Sequence, residues 1–599
     1  MGSQQIRLSQ FVITYGPGAI IEGKEGPRII LSPEIGLFRP GSAFSPRDYE
    51  ISDQRMSQGL LGGAGIYRLP SNAELGLPED RYIYRTKPFP EWKLCLNLHS
   101  HGGDFYVLYR GRRCPVCKAS GRKGQEAIRF IKACPNGHMD EVDWYFIAHG
   151  RQAACQHSSW FKWYGGGGSL SEVIIECPVC GSRKHTLGQV YQWDWPCSGR
   201  FPEKEAGWQR YISQCDAPAK IIQRQASNLR IPELLTLFSI PPRHTKLHNL
   251  LQKRPIYENI VGSRPSSMQE LKRILGNLAS AGLIRKNVMD EILQHPWEEI
   301  ASAIKDVLEP VPTSYHELIL EEFLALIQGS VQGIPPIRAP RPHSPVIIEI
   351  NPYAVRRFKG PNGNVFRVTP VLRLRTVTVQ RGYRRAVSTT VIPKLVDISF
   401  ADPQNPEQRW YPGVEFLGEG IFIIMDTNDG WGFEISGDAA STWMKAFRNQ
   451  SSYPDHVFRD PSARDELHPL FVWWHTFSHS LIRAISQEAG YSSASIRERI
   501  YVEIEEERAR GGVLLYATQP SSEGTLGGLV ALVPYFQDII DAALENIEYC
   551  SGDPLCLEHR FQPSFYNGAA CYGCLLLSET SCEHRNMWLD RNVFLENLP

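Results

Sequence analysis

The chain has 599 residues, with Lys+Arg and Asp+Glu both at 64, so its formal net charge is zero and its pI is near neutral. Such a chain is not a general polyanion binder, and any nucleic-acid contact has to be local. The 42% hydrophobic content suffices for packed cores, and the length corresponds to roughly four domain-sized units.

There is no run of about 18 apolar residues, and the opening MGSQQIRLSQFVITYG lacks an apolar signal core. We therefore expect a soluble cytoplasmic protein. In that reducing compartment fourteen cysteines, many in Cys-x-x-Cys pairs, point to metal rather than disulfides. The fold class expected is α+β multidomain: a β-rich N-terminal region, a Cys-rich zinc-knuckle module, a small helical subdomain and a mixed α/β C-terminal domain ending in a further zinc site.

Residues 1–92 are rich in Gly and Pro, with short β-prone runs such as Phe11–Tyr15 and Arg28–Leu31. Gly18-Ala-Ile-Ile-Glu-Gly23-Lys24 has the Gly and Lys spacing of a phosphate-binding loop. Glu25 then stands where a Ser or Thr is needed, and Gly26-Pro27 where a helix must begin, so no nucleotide site is expected.

Residues 93–225 form the zinc-knuckle module. Cys114-Pro-Val-Cys117 is followed, after sixteen residues, by Cys134-Pro-Asn-Gly-His138. Two cysteines two residues apart sit on one tight turn and aim both thiolates at one point, and a second pair can close a tetrahedron around Zn²⁺. The spacing recurs, because Cys177-Pro-Val-Cys180 is followed after sixteen residues by Cys197, with Cys215 as a fourth ligand. Two sites are expected here, with Cys95, His99, His101, Cys155 and His157 as possible substitutes. Arg110, Arg112, Arg113, Lys118, Arg122 and Lys123 surround the first knuckle, with Tyr106, Tyr109 and Phe130 interleaved. They can meet phosphates and bases, or simply form a solvated face.

In residues 226–345 apolar spacing predicts helices over Met268–Gly282, Met289–His295, Trp297–Leu308 and Tyr315–Ile327. A Pro-rich linker, Gly333 to His343, closes this subdomain. Residues 346–440 read as mostly β and carry Arg367, Arg373, Arg375, Arg381, Arg384 and Arg385. Arg373 and Arg375 share one face of a regular strand and could form a phosphate rail, or pair with acidic residues of this chain or a partner. Glu415 and Glu419 precede a buried strand.

Residues 441–599 begin with a long helix, Leu467–Glu488, holding His475-Thr-Phe-Ser-His479 on one face. The glutamate of an HExxH motif is absent. The loop Ser521-Ser-Glu-Gly-Thr-Leu-Gly-Gly528 offers backbone amides to an anion, a weak signal alone. Cys556, Cys571, Cys574 and Cys582 make the third expected zinc set, with Cys550, His559 and His584 in reserve. About three structural ions follow from this reading.

Several segments carry a family resemblance. Arg7-Leu-Ser-Gln10 with Tyr15-Gly-Pro-Gly18, Ala133-Cys-Pro-Asn-Gly-His-Met-Asp-Glu-Val-Asp-Trp144, Arg224-Gln-Ala-Ser-Asn228, Leu374-Arg375 and Gly382-Tyr-Arg384 resemble DrmB proteins of the bacterial anti-phage DISARM systems. The tail, Gly568-Ala-Ala-Cys-Tyr-Gly-Cys-Leu575 with Glu579-Thr-Ser-Cys-Glu583 and Leu589-Asp-Arg591, resembles their helicase-associated zinc-binding domain. Many members carry a histidine after the first cysteine of that motif, where this chain has Tyr572.

The resemblance implies a non-catalytic subunit that forms a heterodimer with a DrmA-like helicase, helps it grip DNA and supports discrimination of phage DNA. It implies structural zinc, no membrane contact and no nucleotide bound by this chain. Local basic faces, with Arg112, Arg113, Arg373, Arg375 and Arg384 as candidate DNA contacts, agree with it. The alternative is a metal-dependent nuclease or hydrolase built on His475, His479 and the carboxylates near Glu415 and Glu419.

Overall fold

Two long antiparallel strands organise the molecule. Val365–Arg384 and Arg409–Met425 run side by side from Phe366 opposite Met425 to Val379 opposite Gly413. The computed structural model describes residues 5–595 apart from 24–25, 38–43, 79–82, 121–123, 152–153, 166–167, 208, 242–245, 252, 309–313, 339–345, 389–390, 404, 428–432, 435–468, 491, 506–507, 520–527, 561–566 and 579. Ile231–Phe238 pairs with the free side of the first long strand, and Arg508–Gln519 with the free side of the second. Arg497–Glu505 folds back onto Arg508–Gln519.

These strands are rich in β-branched and aromatic residues, and both faces of the sheet are covered. Successive side chains point to opposite faces. Phe422 and Ile424 therefore meet Phe323 and Leu326 of helix Tyr315–Gln332. Ile421 and Ile423 meet Trp473 and Phe477 of helix Pro469–Ala489 and Phe536 of helix Phe536–Glu548.

The N-terminal region joins the same sheet. Gly65–Tyr67 runs parallel to Arg409–Met425, and Phe11, Val12 and Ile21 pack on Phe400, Trp410 and Val414. The stretches 1–92, 226–345, 346–440 and 441–599, expected as separate units, thus each send a strand into one sheet. Gly23 pairs with Gly26 at the mouth of a hairpin, where a phosphate cradle would need a helix.

The stretch 93–225 holds two small sheets. The first runs Ile174–Glu176, Trp160–Tyr164, Tyr106–Arg110, Trp92–Cys95, Gln125–Ala127; the second runs Trp195–Pro196, Pro218–Gln223, Phe130–Ala133, Met139–Glu141. Leu108, Trp144, Ile147, Phe161, Trp163, Val190 and Ile221 form one core between them.

Helices stand where apolar spacing places them, at Met268–Ser280, Lys286–Leu293, Trp297–Leu308 and Tyr315–Gln332. Ser267 caps the first through the Glu270 amide, and Leu271, Leu275 and Leu278 line its buried face. The first three of these share a core with Leu247, Leu251, Ile256 and Ile260, while the fourth packs on the large sheet. Residues 339–345 of the Pro-rich linker and 521–527 of the Gly-rich loop lie outside the described residues, as do Arg122 and Lys123. Among the described residues no helix is long and apolar enough to cross a membrane.

Candidate metal centres

All fourteen cysteines fall into five groups of four donor residues, and within each group the candidate ligand atoms lie within 4.8 Å of one another. The first group is Cys95, His101, Cys114 and Cys117. Cys95 ends a strand of the five-stranded sheet, and the Cys114–Cys117 turn follows the neighbouring strand Tyr106–Arg110. Cys95 Sγ lies 3.7 Å from Cys117 Sγ, and Cys114 Sγ 3.5 Å from His101 Nε2. The turn closes through the Lys118 amide, which donates to the Cys114 carbonyl at 3.0 Å.

The second group is Cys134, His138, Cys197 and Cys215. Each sits beside an end of a strand in the four-stranded sheet, so strand pairing alone collects them. His138 turns Nδ1 toward Cys134 Sγ at 3.3 Å, while its Nε2 lies 2.7 Å from Ser213 Oγ, a partner that fixes the ring. Gly137, at φ 89°, supplies the left-handed residue that this tight turn needs.

The third group is His149, Cys155, Cys177 and Cys180. Helix Trp144–His149 starts on Asp143, whose side chain accepts from the Phe146 amide, and delivers His149 at its last turn. His149 Nδ1 lies 3.0 Å from the Tyr145 carbonyl oxygen, and its Nε2 is buried without a hydrogen-bond partner. A metal is the partner that the chemistry of this donor set offers.

The fourth group is Cys550, Cys556, Cys571 and Cys574, with Cys550 and Cys571 sulfurs 3.4 Å apart and Cys556 and Cys574 3.8 Å apart. The fifth is His475, His479, Glu498 and Cys582, all buried.

Thiolates, not thiols, bind metal, and the sulfurs within a group differ: burial raises the pKa of Cys95, Cys114, Cys177, Cys556 and Cys574, while neighbouring donors hold others down. Hydrogen bonding from Cys197 lowers the pKa of Cys134, and the Ser182 amide does the same for Cys180. Burial pushes Cys571 up, but the Cys550 thiol and the Gly573 amide outweigh it and bring it down to about 7.

The structure regroups the ligands expected from spacing. Cys114 and Cys117 do not share a set with Cys134 and His138; Cys177 and Cys180 do not share one with Cys197 and Cys215. The strand Gln125–Ala127 belongs to the five-stranded sheet and Phe130–Ala133 to the four-stranded one, so the chain leaves one site and enters another between the two pairs. The later halves of both expected sets combine. The earlier halves recruit Cys95 with His101, and Cys155 with His149. At the C-terminus Cys550 takes the place expected for Cys582, which turns to the histidine pair.

Sequence reasoning named Cys95, His101, Cys155 and Cys550 as reserves but missed His149 and Glu498. Neither has a cysteine within a turn's reach, so local spacing gives no signal for them. Tyr572, which follows the first cysteine of the Cys571–Cys574 turn, is 84% exposed and outside the group.

The candidate DNA contacts divide. Arg112 and Arg113 are exposed on the turn beside the first group. Arg373 is exposed, with Glu349 3.7 Å away. Arg375 is buried, 2.8 Å from Glu415 and 2.8 Å from Ser239 Oγ, and so is withdrawn from the rail expected with Arg373. The cause is a register shift between Val371 and Leu374 that breaks the simple alternation. Arg384 is mostly buried, donating to the Pro393 carbonyl at 2.7 Å and lying 3.5 Å from Glu233.

Glu415 thus serves Arg375, and Glu419 accepts from the Leu529 amide at 2.8 Å. The histidine pair faces Glu498 and Cys582 instead, and all four side chains are buried.

Comparison with known proteins bears on these groups. Residues 7–231 match a family described as a domain of unknown function, DUF8724, and residues 477–575 match the MrfA Zn-binding domain. The four cysteines of the fourth group all lie within the latter. A Bacillus paralicheniformis protein described as DISARM protein DrmB is 26% identical over 578 residues, covering 89% of this chain and 91% of that one. The resemblance carried by the motifs therefore extends along nearly the whole chain. A crystal structure of DUF1998 helicase MrfA bound to DNA aligns with 33% of this chain and 20% of its own at 11% identity, with a TM-score of 0.17.

Proposed function

We propose, from a chain similar to a DISARM DrmB protein over 89% of its length, that this is a zinc-stabilised, non-catalytic subunit. It docks on a DrmA-like helicase in the cytoplasm, helps that helicase hold DNA and supports its action against phage DNA. The near full-length similarity is the observation that carries the reading.

The four thiolate-rich groups support the zinc part of it. Each supplies four protein ligands, a closed shell that leaves no position for an activated water. Four ions replace the three expected from spacing. Their role is to hold in shape the short turns that carry the ligands, three sets in the Cys-rich module and one near the C-terminus. The exposed Arg112 and Arg113, on a turn that the first zinc would rigidify, are the DNA contacts we favour, with Arg373 as a third. A neutral chain with one such local face suits contact with DNA inside a complex better than independent binding.

The test is co-expression with a DrmA-like helicase, followed by affinity capture and DNA-dependent ATP hydrolysis. A stable complex whose DNA affinity or DNA-stimulated hydrolysis exceeds that of the helicase alone is expected. No association, or ATP turnover or DNA cleavage by this chain alone, would contradict the reading.

A further inference from the structure

We propose that His475, His479, Glu498 and Cys582 hold a further structural Zn²⁺, chemically distinct from the four thiolate-rich sites and independent of whether those are filled.

Helix Pro469–Ala489 is buried over most of its length, with Leu470, Trp474, Phe477, Leu481 and Ile482 wholly enclosed. Two imidazoles one turn apart on such a helix are unfavourable unless something satisfies them. Strand Arg497–Glu505 brings up Glu498, and the loop after the Cys571–Cys574 turn brings up Cys582. His475 Nε2 lies 2.9 Å from Glu498 Oε1 and 3.2 Å from Cys582 Sγ, and His479 Nε2 lies 3.0 Å from the same Glu498 oxygen.

The proton inventory favours a metal at this point. His479 Nδ1 lies 2.8 Å from the Leu575 carbonyl oxygen, which can only accept, so Nδ1 carries the proton. In the neutral ring Nε2 then presents a lone pair to a carboxylate oxygen, itself an acceptor. A proton or a metal cation has to stand between them. A proton on one imidazole satisfies one such contact, whereas a metal at the centre satisfies all four donors together.

The charges also close, because Zn²⁺ with one carboxylate, one thiolate and two neutral imidazoles is neutral overall, as a buried site requires. The surroundings are those of a built site. The Leu575 carbonyl fixes the His479 ring, and the Ser478 hydroxyl holds the other Glu498 oxygen. Two imidazoles, a carboxylate and a thiolate form a borderline donor set suited to zinc, and the closed shell makes the ion structural. The segment matching the MrfA Zn-binding domain, 477–575, contains neither His475 nor Cys582, so the zinc implied by that name falls to the four cysteines. Filling the second site would bolt the buried helix, the sheet and the C-terminal loop together.

Crystals of the full chain, purified without chelator, test this through an anomalous difference map at the zinc edge. The expected result is a peak about 2.0–2.1 Å from both Nε2 atoms and about 2.3 Å from Cys582 Sγ. His479→Gln and Cys582→Ser should each lose one zinc equivalent while the peak among Cys550, Cys556, Cys571 and Cys574 persists. Cys556→Ser should do the reverse. A map with the four-cysteine peak but nothing between His475 and His479 overturns the proposal, whatever the variants do, since the wild-type map alone decides it.

Discussion

At the scale of single residues, exposure separates arginines that a list of basic positions makes equal. Arg375 is held by the partly exposed Glu415 and by Ser239, with Asp53 3.9 Å away, so Arg375→Ala takes the cation from the buried Asp53 and Ser239 side chains. It should destabilise the sheet by about 1–2 kcal/mol in chemical denaturation, without a separate effect on DNA. Arg112→Ala with Arg113→Ala should leave stability unchanged and weaken DNA binding by the helicase complex. The slope of log affinity against log salt should become shallower by about two, and an unchanged slope would remove these residues from the interface.

Glu141 offers a pH test. Burial raises its pKa from 4.5 to about 7, against the Glu91 amide that donates to one oxygen, and its other oxygen is buried without a hydrogen-bond partner. Its folded-state pKa lies above the unfolded one, so its contribution is fully present below pH 4.5 and is lost as pH rises to about 7. Glu141→Gln should flatten that part of the stability curve and raise stability at pH 8 by on the order of 1–3 kcal/mol, read from melting curves at pH 5 and pH 8.

At the scale of elements, what the sequence revealed was local and what it hid was long-range. Helices appeared from the spacing of residues such as Leu271, Leu275 and Leu278, because a helix makes its own period. The Cys114–Cys117, Cys177–Cys180 and Cys571–Cys574 turns were legible for the same reason. How the sets combine was not, because Cys95 and His149 arrive from strand and helix ends, and Cys197 with Cys215 meets Cys134 and His138 only through sheet pairing. Glu498 reaches the histidine pair in the same way.

The regrouping has a direct consequence. Cys95→Ser and Cys114→Ser should each remove the same zinc, and the double variant should remove no more than either alone, whereas Cys114→Ser with Cys134→Ser should remove two. Loss of one such ion can withdraw on the order of ten kcal/mol from local folding, so proteolysis confined to the module should accompany it. The sheet has its own tight point: a Cβ on Gly511 would lie 2.5 Å from the Trp474 ring, between strand and buried helix. Gly511→Ala should therefore cost about 1–3 kcal/mol by overpacking, seen as a lower unfolding midpoint.

At the scale of the whole molecule, the large sheet is the frame and the metal groups lie around it. Strands from the N-terminal region, the middle of the chain and the C-terminal region meet in that sheet, so the expected division into consecutive domains could not reveal it from local patterns. The Cys-rich module touches the frame closely: Arg385, wholly buried in the first long strand's extension, donates to the Gly137 carbonyl at 2.9 Å, within the second metal group's turn. The turn of the second candidate metal group is thereby tied to the strand system by a buried guanidinium.

The most direct test of this account is the metal content of the folded, full-length chain by elemental analysis, before and after a strong chelator. The account predicts at least four zinc equivalents per chain and a marked fall in melting temperature once they are stripped. A chain that folds with essentially no bound metal, and melts identically with or without chelator, would contradict it.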